Sequence, residues 1–216
     1  MAPYARLEVS LILFGGAVLV VVTGALVGWW ALLPAICVLM LASFYRDPPR
    51  RPMRRPNVLV APADGRVVVL RREPSAERHE ATLRIDIFLS VFDVHVNRAP
   101  CGGRVVDVRH RPGRFISALR PAAAELNESN TLTIAPPAPL PGPIIVRQVA
   151  GRLARRIVCA VAPPQRVRIG QRIGMIKLGS RVELRAPQAD RWRVHVRPGQ
   201  HVRAGETVLA ELDPRR

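Results

Sequence analysis

Two hydropathy patterns divide this chain. Residues 9–44 form one apolar run without a charged side chain, and beyond it apolar runs are short and interrupted by glycine and proline. As a single straight helix the first run of about 36 residues would reach roughly 54 Å, against about 30 Å for the hydrocarbon core of a bilayer. One straight span is too long. Gly24, Gly28, Trp29, Trp30 and Pro34 supply a break and interfacial anchors near the middle. The pattern predicts two helices, 7–27 and 32–44, folded as a hairpin that either spans the membrane or inserts into one leaflet. A cleaved signal peptide would carry a far shorter apolar region. Arg6 precedes the run, and Arg46, Arg50, Arg51, Arg54 and Arg55 follow it. Basic flanks on both sides place both ends on the cytoplasmic side of the cell (inner) membrane.

Pro48, Pro49, Pro52 and Pro56 make residues 47–60 a stiff linker. Short apolar runs follow at 67–70, 83–89, 94–96, 105–108, 132–134, 144–149 and 157–161, the pattern of an all-β domain of short strands. Residues 114–125 offer the one stretch that reads as a soluble helix or part-helical loop, and the proline-rich 135–143 reads as a connection. A weak repeat closes the chain: residues 167–176 and 202–211 each read as strand, glycine turn and strand, as in lipoyl and biotinyl domains. The predicted fold is mainly β (α+β), a compact sandwich- or barrel-like domain with lipoyl-like C-terminal hairpins, behind an N-terminal hydrophobic helical hairpin.

Charge narrows the partners. Thirty-three basic residues stand against 16 acidic ones, a net charge of +17, and Lys177 is the one lysine. Such a chain is drawn to anionic surfaces. Aromatic residues make up only 5% of it, which leaves few platforms for stacking bases, and no zinc-finger or recognition-helix pattern occurs. A membrane of anionic phospholipid is the expected partner, and nucleic acid is not. Cys37, Cys101 and Cys159 are odd in number and widely spaced, so they form neither a disulfide framework nor a metal-ligand set. No metal is expected, and a reducing compartment fits.

The candidate chemistry lies in Leu178-Gly179-Ser180. Glycine reaches backbone angles closed to other residues, so its carbonyl can be presented in a tight turn to the hydroxyl that follows. The resulting ester can eliminate to dehydroalanine, which hydrolyses to a pyruvoyl group at a new amino terminus. A pyruvoyl carbonyl condenses with amines and withdraws electrons. Alone, Gly-Ser is a common turn between two strands.

Four further stretches precede it in order: Phe44-Tyr45-Arg46-Asp47-Pro48; Ala61-Pro62-Ala63-Asp64-Gly65-Arg66-Val67; residues 87–100 with Asp93-Val94-His95-Val96-Asn97-Arg98; and Asn127-Glu128-Ser129-Asn130-Thr131-Leu132. Together with Leu-Gly-Ser they resemble phosphatidylserine decarboxylase of the short bacterial and archaeal type. The resemblance implies a membrane-associated enzyme that cuts itself between Gly179 and Ser180, with Ser180 as nucleophile and as precursor of the pyruvoyl cofactor. The products would be subunits 1–179 and 180–216, joined as a heterodimer with higher assembly left open. The implied organisation is an anchor over 1–46, the linker, and a catalytic β domain over 61–216. The implied reaction takes phosphatidylserine through a Schiff base to phosphatidylethanolamine and carbon dioxide.

Longer relatives use an Asp-His-Ser relay, onto which Asp64 and His95 map. Arg98 stands where those relatives carry a second histidine, so the base for self-cleavage is either His95 or another group. Asn127 and Glu128 are either a turn pair or pocket residues, and Arg98 and Arg114 are candidate partners for phosphate or carboxylate. His79, His110, His195 and His201 read as solvated or locally bonded. The alternative reading is a non-enzymatic, membrane-tethered lipoyl-like adaptor.

Overall fold

A computed structural model describes residues 5–53, 55–74, 80–152, 156–177 and 179–213. The chain divides into an N-terminal unit ending at Pro48 and a second beginning at Pro49. In the first, helix α1 (Arg6–Val27) leads through a 3-10 turn (Gly28–Ala31) into α2 (Leu32–Phe44). Gly28 sits at φ +61°, a left-handed angle that suits glycine at this break. The helices fold back on one another: a Cβ on Gly16 would collide with the side chain of Val38. Arg6–Phe44 is long and apolar enough to cross a membrane.

The second unit is β throughout. Its strands are β1 (Val58–Val60), β2 (Gly65–Glu73), β3 (Thr82–Leu89), β4 (Val96–Arg98), β5 (Gly103–Arg111), β6 (Ser129–Ala135), β7 (Ile144–Val149), β8 (Ile157–Cys159), β9 (Arg166–Val167), β10 (Arg172–Ile176), β11 (Ser180–Ala186), β12 (Trp192–Val194), β13 (His201–Val202) and β14 (Val208–Leu212). Among its described residues, a four-residue helix, α3 (Ala123–Leu126), lies in the stretch read as helix or loop, and a 3-10 turn (Ala189–Arg191) precedes β12. A curled eight-stranded sheet has the order β13-β2-β3-β11-β7-β6-β5-β9, and two three-stranded sheets, β1-β14-β12 and β4-β10-β8, complete the unit. All named strand pairs are antiparallel. The tail of the stretch read as linker is already part of this unit, because β1 pairs with β14.

Alternation decides which face of the large sheet is inside. Ile85 and Ile87 of β3, Val182 and Leu184 of β11, Val146 of β7, and Leu132 and Ile134 of β6 are all buried in one core. On the other face of β3, β11 and β7, charged side chains bury one another. Glu183, itself inaccessible to solvent, lies 3.1 to 3.7 Å from Arg181, Arg84, Arg185 and Arg147, and Arg84 also grips Asp86 with two bonds of 2.8 Å.

Each copy of the C-terminal repeat is a strand, a glycine turn and a strand, but its two strands enter different sheets instead of pairing with each other. β9 pairs with β5 and β10 with β4 and β8, whereas β13 pairs with β2 and β14 with β1 and β12. The two glycines, Gly170 at φ +73° and Gly205 at φ +76°, turn alike.

The repeat is one part of a larger two-fold likeness. Ala61-Pro62-Ala63-Asp64-Gly65-Arg66-Val67-Val68 matches Ala99-Pro100-Cys101-Gly102-Gly103-Arg104-Val105-Val106 at six of its eight positions. The hydrogen bonds match as well: Val60 N donates to Pro100 O and Arg98 N to Pro62 O, both at 2.9 Å. Gly205 N donates to Ala61 O as Gly170 N donates to Ala99 O, both at 2.8 Å. One half, β4 to β10, is continuous in sequence. It is inserted between β3 and β11 of the other half, so the chain passes between halves twice, after β3 and after β10.

Candidate active site

The two crossings run side by side. Ser180 opens β11 opposite Leu89, the last residue of β3, and Met175 of β10 lies opposite Val96 of β4. Between these pairs, Ile176 N donates to His95 O at 3.3 Å. The strand register therefore places the His95 backbone beside Ile176, four residues before Ser180, and Ser180 Oγ makes no hydrogen bond to the His95 ring. Leu178 lies outside the described residues.

Gly179 has φ +64°, where a side chain would be strained. Its carbonyl is held from one side: a Cβ built on Gly151 would collide with Gly179 O, so that approach needs glycine at 151. Asn127 secures the segment before it. Its Nδ2 donates to Ala150 O at 2.7 Å and to Ile116 O at 2.8 Å, and its Oδ1 accepts from Ile116 N at 3.0 Å. Asn127 thus positions backbone, while Glu128 Oε1 meets His110 Nε2 at 3.2 Å. Ser180 is inaccessible to solvent, and its Oγ makes no hydrogen bond to the described residues.

His95 is buried, with Nδ1 2.8 Å from Asp93 O. A carbonyl only accepts, so Nδ1 carries the hydrogen and the neutral ring keeps its basic lone pair on Nε2. The Asp93 carboxylate organises the same crossing: Oδ2 accepts from Ser90 N at 2.8 Å and Ser90 Oγ at 2.7 Å, and Oδ1 meets His201 Nε2 at 2.8 Å. Burial works to raise the Asp93 pKa, but the bonds from Ser90 and His201 outweigh it and hold it below the ordinary value.

Asp64 lies in the turn between β1 and β2. Its Oδ1 accepts from Ala204 N at 2.7 Å and its Oδ2 from Arg50 Nη2 at 2.6 Å. Burial raises its pKa above the carboxylate norm, against the lowering effect of Ala204 N–H and Arg50, and the nearby Asp93 adds to the rise. Its hydrogen bonds go to these two partners and none to His95. Arg98 Nη1 donates to Gly170 O at 3.1 Å, so this arginine, in place of a second histidine, supports the glycine turn.

A family model described as phosphatidylserine decarboxylase matches residues 39–210. The chain belongs to the phosphatidylserine decarboxylase family. A protein named phosphatidylserine decarboxylase proenzyme from Mycolicibacterium smegmatis is 52% identical over 79% of this chain and 74% of its own length. Proteins of the same name from Mycolicibacterium vanbaalenii and Cupriavidus pinatubonensis are 49% and 41% identical, the latter over 86% of this chain and 84% of its own. Membership makes this chain a decarboxylase and removes the adaptor reading.

Set in this decarboxylase, three features of the site escaped the sequence. Gly151 is one glycine among 15. Asp93 and His201 are 108 positions apart, and only strand pairing joins them. Asn97 and Gln148, fully or nearly buried and bonded to each other at 2.8 Å, come from different sheets. Asp93 and Asn97 had a visible signal, since each stands two residues from His95. His110 and His195 are bonded locally to Glu128 and Glu211, and His79 lies outside the described residues.

Proposed function

We propose that this enzyme converts phosphatidylserine to phosphatidylethanolamine and carbon dioxide with a pyruvoyl group made from its own Ser180. The carrying observation is the pair Gly179–Ser180: a glycine at φ +64° followed by a buried serine hydroxyl that makes no hydrogen bond to the described residues. A partnerless buried hydroxyl is unfavourable and needs a reason. A nucleophile held against its own preceding carbonyl is such a reason.

Maturation then follows from the residues present. His95 Nε2 takes the Ser180 Oγ proton, and Oγ attacks the Gly179 carbonyl carbon. The Asp93 carbonyl fixes the imidazole tautomer for that step, as a carboxylate does in hydrolytic triads. The Gly179–Ser180 amide becomes an ester. Elimination frees the Gly179 carboxylate, and hydrolysis of the resulting dehydroalanine releases ammonia. The pyruvoyl carbonyl that remains supplies an electrophile for the headgroup amine and a sink for the electrons of the breaking carbon–carboxylate bond. Ser180 fits that group because its strand is held on both sides, by β3 and by β7. Asp64 acts at a distance, holding Arg50 and Ala204 N and bringing negative charge near Asp93.

We place the enzyme at the inner membrane with its β unit on the cytoplasmic side. The apolar Arg6–Phe44 segment and the basic residues around it support that placement. Intact mass of the purified protein tests the reading. Wild type is expected as two chains, 1–179 and 180–216, the smaller with a blocked amino terminus. Ser180→Ala is expected as one uncut, inactive chain, and decarboxylation by that variant refutes the assignment.

A further inference from the structure

Three buried carboxamides form a chain beside Ser180. Asn130 Nδ2 donates to Gln148 Oε1 at 3.0 Å, and Gln148 Nε2 donates to Asn97 Oδ1 at 2.8 Å. None of the three is more than 3% exposed. A carboxamide has one accepting end and one donating end. Once Asn130 occupies the oxygen of Gln148, the nitrogen of Gln148 faces Asn97, and the nitrogen of Asn97 is turned onward. There the chain stops: Asn97 Nδ2 is buried and makes no hydrogen bond to the described residues.

The place of that donor follows from register. Gln148 lies opposite Val182, and Ser180 is two residues earlier on the same face of β11. Gln148 and Ser180 are therefore diagonal neighbours, about 7–8 Å apart between backbones. Asn97 follows His95 by two residues, on the strand that leads away from the first crossing. Two buried polar groups that make no hydrogen bond to the described residues, Ser180 Oγ and Asn97 Nδ2, thus both neighbour Gln148, one from its own sheet and one from the sheet of β4. Buried donors are almost always satisfied, so an exception in an active site points to an acceptor brought by a ligand.

Resting on the function proposed above, we propose that the Asn97 carboxamide receives the carboxylate of the amino-acid headgroup. The headgroup offers an amine, a phosphate and a carboxylate. With the amine directed to position 180, the carboxylate is the acceptor one carbon away. A neutral donor suits this carboxylate because it loses its charge as carbon dioxide departs. An arginine would stabilise the ground state more than the transition state and so oppose the reaction. In a chain with 33 basic residues, the donor here is an amide.

The test compares two lipids that differ only in the carboxylate. Mature enzyme is mixed with detergent-solubilised phosphatidylserine or phosphatidylethanolamine and sodium cyanoborohydride. Lipid amine fixed on the 180–216 fragment is then read by intact mass, with carboxylated and decarboxylated adducts summed. Loss of one hydrogen bond to a carboxylate predicts that Asn97→Ala lowers phosphatidylserine capture about tenfold or more. Capture of phosphatidylethanolamine should stay within about twofold, since that lipid never meets the lost donor. Gln148→Glu keeps every side-chain volume but cannot donate to Asn97 Oδ1. The Asn97 amide then turns its NH2 toward Glu, and the same selective loss is expected. Unchanged phosphatidylserine capture, or equal loss for both lipids, overturns the proposal. So does a precursor left uncut in both variants, because the donor would then serve self-cleavage. Wild-type protein that captures neither lipid removes the reading on which the inference rests.

Discussion

A methyl group at position 151 would meet the carbonyl oxygen of Gly179. Gly151→Ala must therefore displace the scissile peptide, and about 1 Å of misplacement at a reacting centre slows chemistry roughly 100-fold. Its precursor should persist on a denaturing gel long after wild type has been cut, and maturation at the wild-type rate would refute the contact. Asp93 makes a prediction about pH. Its folded pKa lies below the ordinary 3.8, so its bonds to Ser90 and His201 stabilise the fold above that pH. The contribution disappears as pH falls through the lower, folded value. Asp93→Asn should flatten this acid limb of a thermal-melt series, whereas an unchanged limb would show that Asp93 is not its source. Single residues were unevenly legible. Gly179, Ser180 and His95 draw their proposed roles from their identities and order. Asp64 does not, because burial beside Arg50 and Ala204 N fixes its bonds, and no local pattern reveals those partners.

Among the elements, β11 bears the largest burden. Its inner face is apolar apart from Ser180, and its outer face sets Arg181, Glu183 and Arg185 in alternation. Glu183 is the acid that four arginines share. Removing it leaves buried like charges facing one another. Glu183→Ala should destabilise the fold by about 3–5 kcal/mol, the usual cost of breaking a buried ion pair. A chemical-denaturation midpoint equal to wild type would contradict this. The strands themselves were largely readable, since seven apolar runs found β2 to β8. β1 and β12 were not, because three residues between prolines, or around one tryptophan, have no period to detect. Residues 114–125 shrank to the four-residue α3, because backbone bonds such as Arg114 N to Leu126 O hold the segment as a loop. The helix pair at the amino end was plain from hydropathy and a central glycine.

Across the whole molecule, one half is threaded into the other. The terminal repeat was visible in sequence, but its larger frame was not, because the matching Ala-Pro turns are separated by three strands and read as ordinary loops. That frame gives the proposed reactive peptide and His95 equivalent places: each lies where the chain passes between halves. It also predicts what survives the cut. The proposed subunit 180–216 would contribute β11 to the middle of the large sheet, β13 to its edge, and β12 and β14 to a three-stranded sheet. The two pieces should therefore elute together in size exclusion without denaturant and separate only in guanidinium. Elution apart under native conditions would refute the assembly.

β11 has neighbours on both flanks, so the end released by scission is not a loose tail. On the proposed maturation, a carbonyl made there would inherit the stillness of a sheet interior, and each incoming lipid amine would find its target already aimed. The fold would then spend one covalent link and keep its reagent bolted in place.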